Sequence, residues 1–469
     1  MTRPAVPLDL SRPGRFHLVG VGGPGMNPLA LVLAGMGHSV SGSDMRESDV
    51  LERLRAAGVA VTVGHDATLV HGVDAVGVST AIPATNIEVA EAVRLGIAVL
   101  HRDGLLGSIC AQARSIGVAG THGKTTTTTM VTSILEAAGR EPSYIIGGDP
   151  ADLDAPGRWT GSEWFVIEAD ESDATHLGLP LAATILTNVE ADHLENWGTL
   201  EAIVDGFRRY LDAIDGPKVI CIDDPGAAAL AAALAPGRDA VTYGLGASAH
   251  YRATDVSLGP GPLTFSVTGP GGTLGSFSLP LRGIHNVRNA TGAIALTHRF
   301  GVEAEAARGA LARFGGVARR FDVQGTAAGI TFVDDYAHIP TEIAAVLEGA
   351  AVSGDGWRRI VAVFQPNRYR RMAILSPQYA HCFGRADLTV ITDVYPSGDA
   401  PIAGVTGKLV VNAVLDHHPE QRVAWIPQRN ELVDYLADQL QPGDLCISMG
   451  CGDIATLPRE LIDRLSCEP

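Results

Sequence analysis

Cysteine is sparse and scattered in this 469-residue chain. Its six thiols (Cys110, Cys221, Cys382, Cys446, Cys451, Cys467) form no CxxC pair and no zinc-like spacing. That excludes a disulfide-stapled scaffold or a zinc finger and points to reduced thiols in a cytoplasmic protein. Long hydrophobic runs are missing too. No uninterrupted apolar stretch of about 18 residues occurs, and the opening MTRPAVPLDLSRPGR has no apolar h-region, so neither membrane spanning nor secretion is expected. Basic residues are in deficit. The 35 Lys and Arg against 52 Asp and Glu leave a net charge of −17, which opposes nonspecific binding to nucleic acid or an anionic membrane. Phosphate ligands stay open, because backbone amides and a few local cations bind them. With 46% hydrophobic and 19% charged residues the composition is that of a globular chain, long enough for two to four domains and most simply three.

Three α/β blocks follow one another. From Arg15, FHLVGVGG is a short apolar run ending in glycines, followed by the helical NPLALVLAGMG and a second strand, HSVSGSD. Strand, glycine turn, helix and strand open a doubly wound parallel sheet, so residues 1–110 are expected to form a Rossmann-like domain. A second block opens on SIGVAGTHGKTTTTTMVTSILEAAG and continues through the strands EWFVIEAD, AATILTNV and KVICID. Between about Tyr251 and Leu281 the alternation of apolar with Gly, Thr and Ser resembles a β meander, and GIHNVRNATGAIALTHRFG reads as a helix stopped by Gly301. Residues 111–315 are therefore read as a central P-loop-type ATP-binding domain. TFVDDYA, RRIVAVFQP, DLTVITDVY and DLCISMGCG alternate with helical segments, which makes 316–469 a third, Rossmann-like α/β domain. An Ala-rich helix is expected around Leu230, and no internal repeat is present.

Two glycine-rich loops carry the chemistry. Gly20, Gly22 and Gly25 form a GxGxxG after a strand and before a helix, with Asp44 ending the next strand. Small residues let the backbone approach a diphosphate, the helix start supplies amides, and the acid can meet a ribose hydroxyl. A nicotinamide oxidoreductase would share this pattern, although Pro24 removes one amide. The second loop, Gly120-Thr121-His122-Gly123-Lys124-Thr125-Thr126, predicts ATP binding: lysine neutralises β/γ oxygens, and a hydroxyl at Thr125 can ligate Mg²⁺. It is shorter than the usual GxxxxGK[ST], since Val118 stands five before Gly123. Glu168, Asp170, Glu171 and Asp173 end the strand WFVIEAD, on the sheet edge that carries the loop, and Asp192 and His193 end the next one. At least one of these acids is expected to hold Mg²⁺, and His193 is a candidate metal ligand.

In order along the chain, GVGGPGM, AGTHGKTTTT, EADESD, TNVEADH, HNVRNA, ARRFD, DDYAHIPTE, FQPNRY and DVYPSGDAPIAG closely resemble the Mur ligase family, from about Phe16 to Leu457. The resemblance implies a three-domain, ATP-dependent, amide-forming ligase of peptidoglycan synthesis. It would activate the carboxylate of UDP-N-acetylmuramate as an acyl phosphate for attack by L-alanine. A relative adding another amino acid or a peptide is the near alternative. The resemblance makes Lys124 the phosphate lysine, Thr125 and Glu168 ligands of one Mg²⁺, and His193 the ligand of a second. His285, Asn286 and Asn289 match the segment that holds adenine. Arg320 and Asp335 would approach ATP from the third domain, so Lys124, Glu168, His193 and Arg320 form the implied catalytic set. On the first domain, Gly22, Gly23, Pro24, Gly25 and Met26 would cradle the UDP diphosphate, with Ser43, Asp44 and Ser79 near the nucleotide or sugar. Tyr336, His338, Arg368 and Arg371 would face the amino acid. The sequence departs from the family pattern at Ile339 and Asn367, where histidine is usual, and at Pro24, where alanine is. Segment 194–217 contains no lysine, so the carbamylated lysine of other family members has no counterpart there.

Overall fold

The computed structural model describes residues 8–466; Cys467 and the first seven residues of the opening segment lie outside it. Three sheets follow the chain in order. The first contains β1 (Arg15–Val19), β2 (Ser39–Asp44), β3 (Ala60–Val63), β4 (Ala75–Val78) and β5 (Ala98–His101), all parallel, in the order β3-β2-β1-β4-β5. The order reverses between β1 and β4, which opens a crevice at their carboxyl ends, where Gly20–Gly25 and Ser79 lie. At Gly77 an added Cβ would sit 2.4 Å from Leu105 and 2.5 Å from Leu18, so the helix Arg102–Cys110 packs on the sheet only over glycine.

The second sheet comprises β6 (Arg114–Ala119), β7 (Ser143–Ile145), β8 (Gly157–Arg158), β9 (Trp164–Glu168), β10 (Ala183–Leu186), β11 (Lys218–Cys221), β12 (Ala240–Gly244), β13 (Tyr251–Ser257), β14 (Leu263–Gly269) and β15 (Gly272–Leu279). Its order, β15-β14-β13-β12-β11-β10-β6-β9-β7-β8, places β6 between β10 and β9. β13 to β15 are the antiparallel meander expected from the Gly/Ser/Thr alternation. The helices Pro225–Ala233 and Ile284–Arg299 fall where the Ala-rich segment and the HNVRNA segment predict them, and Gly301 (φ 74°) follows the second. The threonine run after Lys124 is buried inside the helix Lys124–Ala137. Thr129 and Thr132 donate to carbonyls four residues back, which lets a polar run enter a core.

The third sheet joins β16 (Asp322–Ala327), β17 (Ile330–Asp335), β18 (Arg359–Phe364), β19 (Leu388–Ile391), β20 (Val423–Trp425) and β21 (Asp444–Met449) in the order β16-β17-β21-β18-β19-β20, parallel except for β16. Tyr336 and His338 follow β17, Asn367 to Arg371 follow β18, and Cys451 follows β21, so these residues share one sheet edge. No helix among the described residues is long and apolar enough to cross a membrane.

His176, 1% exposed, lies among Trp197, Phe207 and Tyr210, with ring centroids 5.3–6.0 Å apart and neither ring nitrogen hydrogen-bonded. Burial pushes its pKa down to about 4. The unfolded chain therefore binds a proton between about pH 6.5 and 4 that the folded chain does not, so this residue's contribution to stability falls as the pH drops through that window. We expect the melting temperature of His176→Phe to fall less than that of the wild type between pH 7 and pH 4.5; equal slopes in thermal scans would refute this.

Candidate active site

The phosphate loop leaves β6 at the middle of the second sheet. Gly120 has φ 128°, and a Cβ there would lie 2.1 Å from Thr187 Oγ1, so no side chain fits. Thr187 and Asn188, at the end of β10, grip the loop's backbone. Thr187 Oγ1 donates to the His122 carbonyl (2.6 Å), and the His122 amide donates to Asn188 Oδ1 (2.8 Å). Gly123 (φ 77°) starts the helix, whose first amides have no partner within it. Lys124 Nζ donates to the carbonyls of Gly120 (2.7 Å) and Thr121 (3.1 Å) and pairs with Glu171 at 2.9 Å. Burial would lower its pKa, but Glu171 and Asp170 outweigh that and raise it.

Thr125 Oγ1 donates to Glu168 Oε2 at 3.1 Å, and the other Glu168 oxygen accepts from the Gly147 amide at 2.5 Å. Burial raises the pKa of this carboxyl. A hydroxyl and a carboxylate side by side at a phosphate loop are hard oxygen donors, and this set suits Mg²⁺. The four acids of the turn divide: Glu168 and Glu171 face the loop, whereas Asp170 and Asp173 pair with Arg102 of the first unit at 2.8 and 3.0 Å.

A cavity of about 880 Å³ runs from this loop to the third unit. Thr125, Asn286, Asn289, Arg320 and Asp335 all line it. Asn289 donates to Asn286 Oδ1 (3.2 Å), Asn286 donates to the Arg282 carbonyl (2.8 Å), and burial, with Arg288 and Arg320 nearby, holds the His285 pKa down to about 4. The guanidinium of Arg320 lies 5.1 Å from the Tyr336 ring centroid. Asp335 accepts from the amides of Phe321 and Ala337, both at 2.7 Å, and burial pushes its pKa up to about 6. Asp335 thus fixes the connection between the second and third sheets, where Arg319 and Phe321 have positive φ.

Of the ionic contacts that cross between these units, two bear on the site, one buried and one partly buried. Arg371, 2% exposed, donates to Asp192 at 2.8 Å and to Asn367 Oδ1 at 3.2 Å. Burial would raise the Asp192 pKa; Arg371 outweighs it and holds the pKa down to about 2. His122 reaches Glu190 at 3.3 Å on its own unit and Glu342 at 3.2 Å on the third. Burial opposes the charged ring, yet the two carboxylates push its pKa up to about 9. Glu342 also holds His338, whose pKa burial lowers to about 4. His193 caps a short helix with φ 52° and lies 3.3 Å from Asp192. Arg368 (φ 60°) caps the helix Tyr369–Leu375 beside Arg371.

On the first unit, Asp44 Oδ2 accepts from the Gly22 amide at 3.0 Å, which joins the strand end to the glycine loop. Pro24 is exposed at its tip, with Gly23 and Gly25 on either side. Two residues expected at the UDP-sugar face have side chains turned into the core. The Ser43 side chain is fully buried and donates to Glu88 at 2.6 Å, and Met26, 1% exposed, is a core side chain. Sequence reasoning passed over Thr187, Asn188, Glu190, Glu342 and Arg102. Glu342 carried a signal, its i,i+4 spacing from His338; Arg102 carried none.

Three family models match along the chain: the Mur ligase family catalytic domain over residues 15–114, the Mur ligase middle domain over 118–297 and the Mur ligase glutamate ligase domain over 319–452. The chain belongs to the Mur ligase family. Among its relatives, the UDP-N-acetylmuramate--L-alanine ligase of Acidothermus cellulolyticus is 44% identical over 467 residues, covering 98% of this chain and 96% of that protein. That of Bradyrhizobium sp. is 41% identical, covering 96% and 98%. The crystal structure of UDP-N-acetylmuramate-alanine ligase MurC from Thermotoga maritima superposes with a TM-score of 0.80 at 27% identity, over 96% of this chain and 99% of that one.

Proposed function

We propose that this chain is an ATP-dependent ligase that joins L-alanine to the carboxylate of UDP-N-acetylmuramate, supported by relatives of that activity along its whole length. One observation carries the mechanism: the loop residues His122, Gly123 and Thr125 and the third-unit residues Arg320 and Asp335 line a single cavity. Carboxylate and amine do not condense at neutral pH, so the γ-phosphoryl of ATP first passes to the muramyl carboxylate. The amine of alanine then attacks the acyl carbon, and inorganic phosphate leaves. Both steps crowd anions together, which calls for fixed positive charge. Lys124 would exchange Glu171 for the polyphosphate, and Arg320 would reach it from the third unit. Thr125 and Glu168 would hold one Mg²⁺ and His193 a second, and the ions would supply positive charge for the phosphate oxygens. His285, Asn286 and Asn289 hold adenine at the other end. Tyr336, His338 and Arg368 face the amino acid, with Arg371 locked behind them by Asp192. Boundaries near residues 110 and 315 divide the chain between UDP-sugar, ATP and amino-acid binding.

Phosphate release with ATP, Mg²⁺ and UDP-N-acetylmuramate is expected to depend on L-alanine; release indifferent to either substrate refutes the reading. Product mass with glycine or L-serine in place of alanine separates it from a ligase of another amino acid. Asp44→Ala should raise KM for the UDP-sugar about tenfold, the scale of one hydrogen bond to a charged group, and leave KM for ATP unchanged.

A further inference from the structure

We propose that Arg102 is a positioning residue that couples occupancy of the glycine loop on the first unit to the readiness of the phosphate loop on the second. The inference rests on the two nucleotide sites proposed above. Arg102 opens the helix Arg102–Cys110, immediately after β5. Its Nη2 reaches across to Asp170 at 2.8 Å and Asp173 at 3.0 Å, and the side chain is 24% exposed, so solvent screens these pairs less than pairs on the open surface. The same side chain lies against the other loop: a Cβ on Gly25 would be 3.0 Å from Arg102 Cδ and 3.1 Å from Nη1. One guanidinium therefore touches the glycine loop on one side and the acidic turn on the other.

That turn carries the groups that prime the phosphate loop, since Glu168 holds Thr125 and Glu171 holds Lys124. Four carboxylates (Glu168, Asp170, Glu171, Asp173) share Arg102 and Lys124, and Arg320 acts on Glu168 from the third unit. Without Arg102, Asp170 is left to compete for Lys124, the cation that must reach the polyphosphate. Seating a diphosphate over Gly25 draws the Arg102 guanidinium toward it and away from Asp170 and Asp173, which frees Asp170 to compete for Lys124. Coupling of this kind is reciprocal.

The test is calorimetric titration of the folded enzyme with a non-hydrolysable ATP analogue and Mg²⁺, with and without saturating UDP-N-acetylmuramate. In the wild type the UDP-sugar is expected to weaken analogue binding about 5- to 20-fold, a usual range for coupled sites. In Arg102→Met that factor should fall to about one while each ligand still binds alone. Adding Asp170→Asn to Arg102→Met should recover part of the analogue affinity, because the competitor for Lys124 is gone. An unchanged coupling factor in Arg102→Met overturns the inference. So does a loss confined to UDP-sugar affinity with the factor intact, which would make Arg102 a plain diphosphate ligand. If Arg102→Met does not fold, Arg102→Lys decides: an intermediate factor supports the inference, and wild-type coupling sinks it. A wild-type protein that binds no UDP-sugar at all refutes the functional reading itself, and shows as a missing first isotherm.

Discussion

Lys124→Ala is expected to lower turnover by at least about 10³-fold, the scale on which single cations act in phosphoryl transfer, while UDP-N-acetylmuramate still binds. Lys124 is the cation inside the phosphate loop, and two loop carbonyls and Glu171 hold its ammonium there. Arginine should not rescue it, because a planar fork cannot replace a compact ammonium held by those carbonyls. The variant also leaves Glu171, 4% exposed, without its partner; burial already raises that carboxyl's pKa, so it is expected to take up a proton rather than unfold the loop. Phosphate release measures the first effect and calorimetry with the UDP-sugar the second. Loss of UDP-sugar binding in a folded Lys124→Ala protein would contradict the division of labour between the units.

The first two units were legible because each opens on a buried apolar strand followed by a glycine turn, and the third through the buried runs of β17, β18, β19 and β21, its opening strand β16 being largely exposed. The strands that escaped reading are short or only partly buried. β7 has three residues, β8 two, and β20 three at intermediate exposure, so no period develops in them. Within the site, Lys124, Thr125 and Glu168 could be brought together from sequence because parallel strand ends fall on one edge. Ser43 and Asp44 could have been separated by the same reasoning, since adjacent strand residues face opposite ways. Ser43 turns in to Glu88, and Asp44 turns toward the loop. What sequence could not give is how a turn divides its acids. Asp170 and Asp173 find Arg102 about 70 residues earlier, and Glu171, one residue on from Asp170, finds Lys124. Turn geometry has no period to read. The union of His122 with Glu342 is likewise a product of how two units meet, 220 residues apart in the chain.

The meeting of those units carries the other large effect. Arg371→Met is expected to cost about 3 to 5 kcal/mol, because Asp192 stays behind as a buried charge without its cation. If the loss were only one of stability, removing the second charge would repair everything. The double variant Arg371→Met/Asp192→Asn should therefore recover most of the melting temperature, since a buried ion pair replaced as a whole is often close to neutral. Activity should not follow. Asp192 lies beside His193, so the pair also fixes where the third unit stands over His193, the residue proposed above to hold a metal ion. We expect the double variant to retain a kcat at least about 100-fold below wild type with ATP binding largely preserved, the pattern of a lost alignment rather than a lost ligand. Thermal melts and steady-state kinetics on both variants separate the two effects. Recovery of kcat together with stability would reduce the Arg371–Asp192 contact to a strut with no part in closing the site.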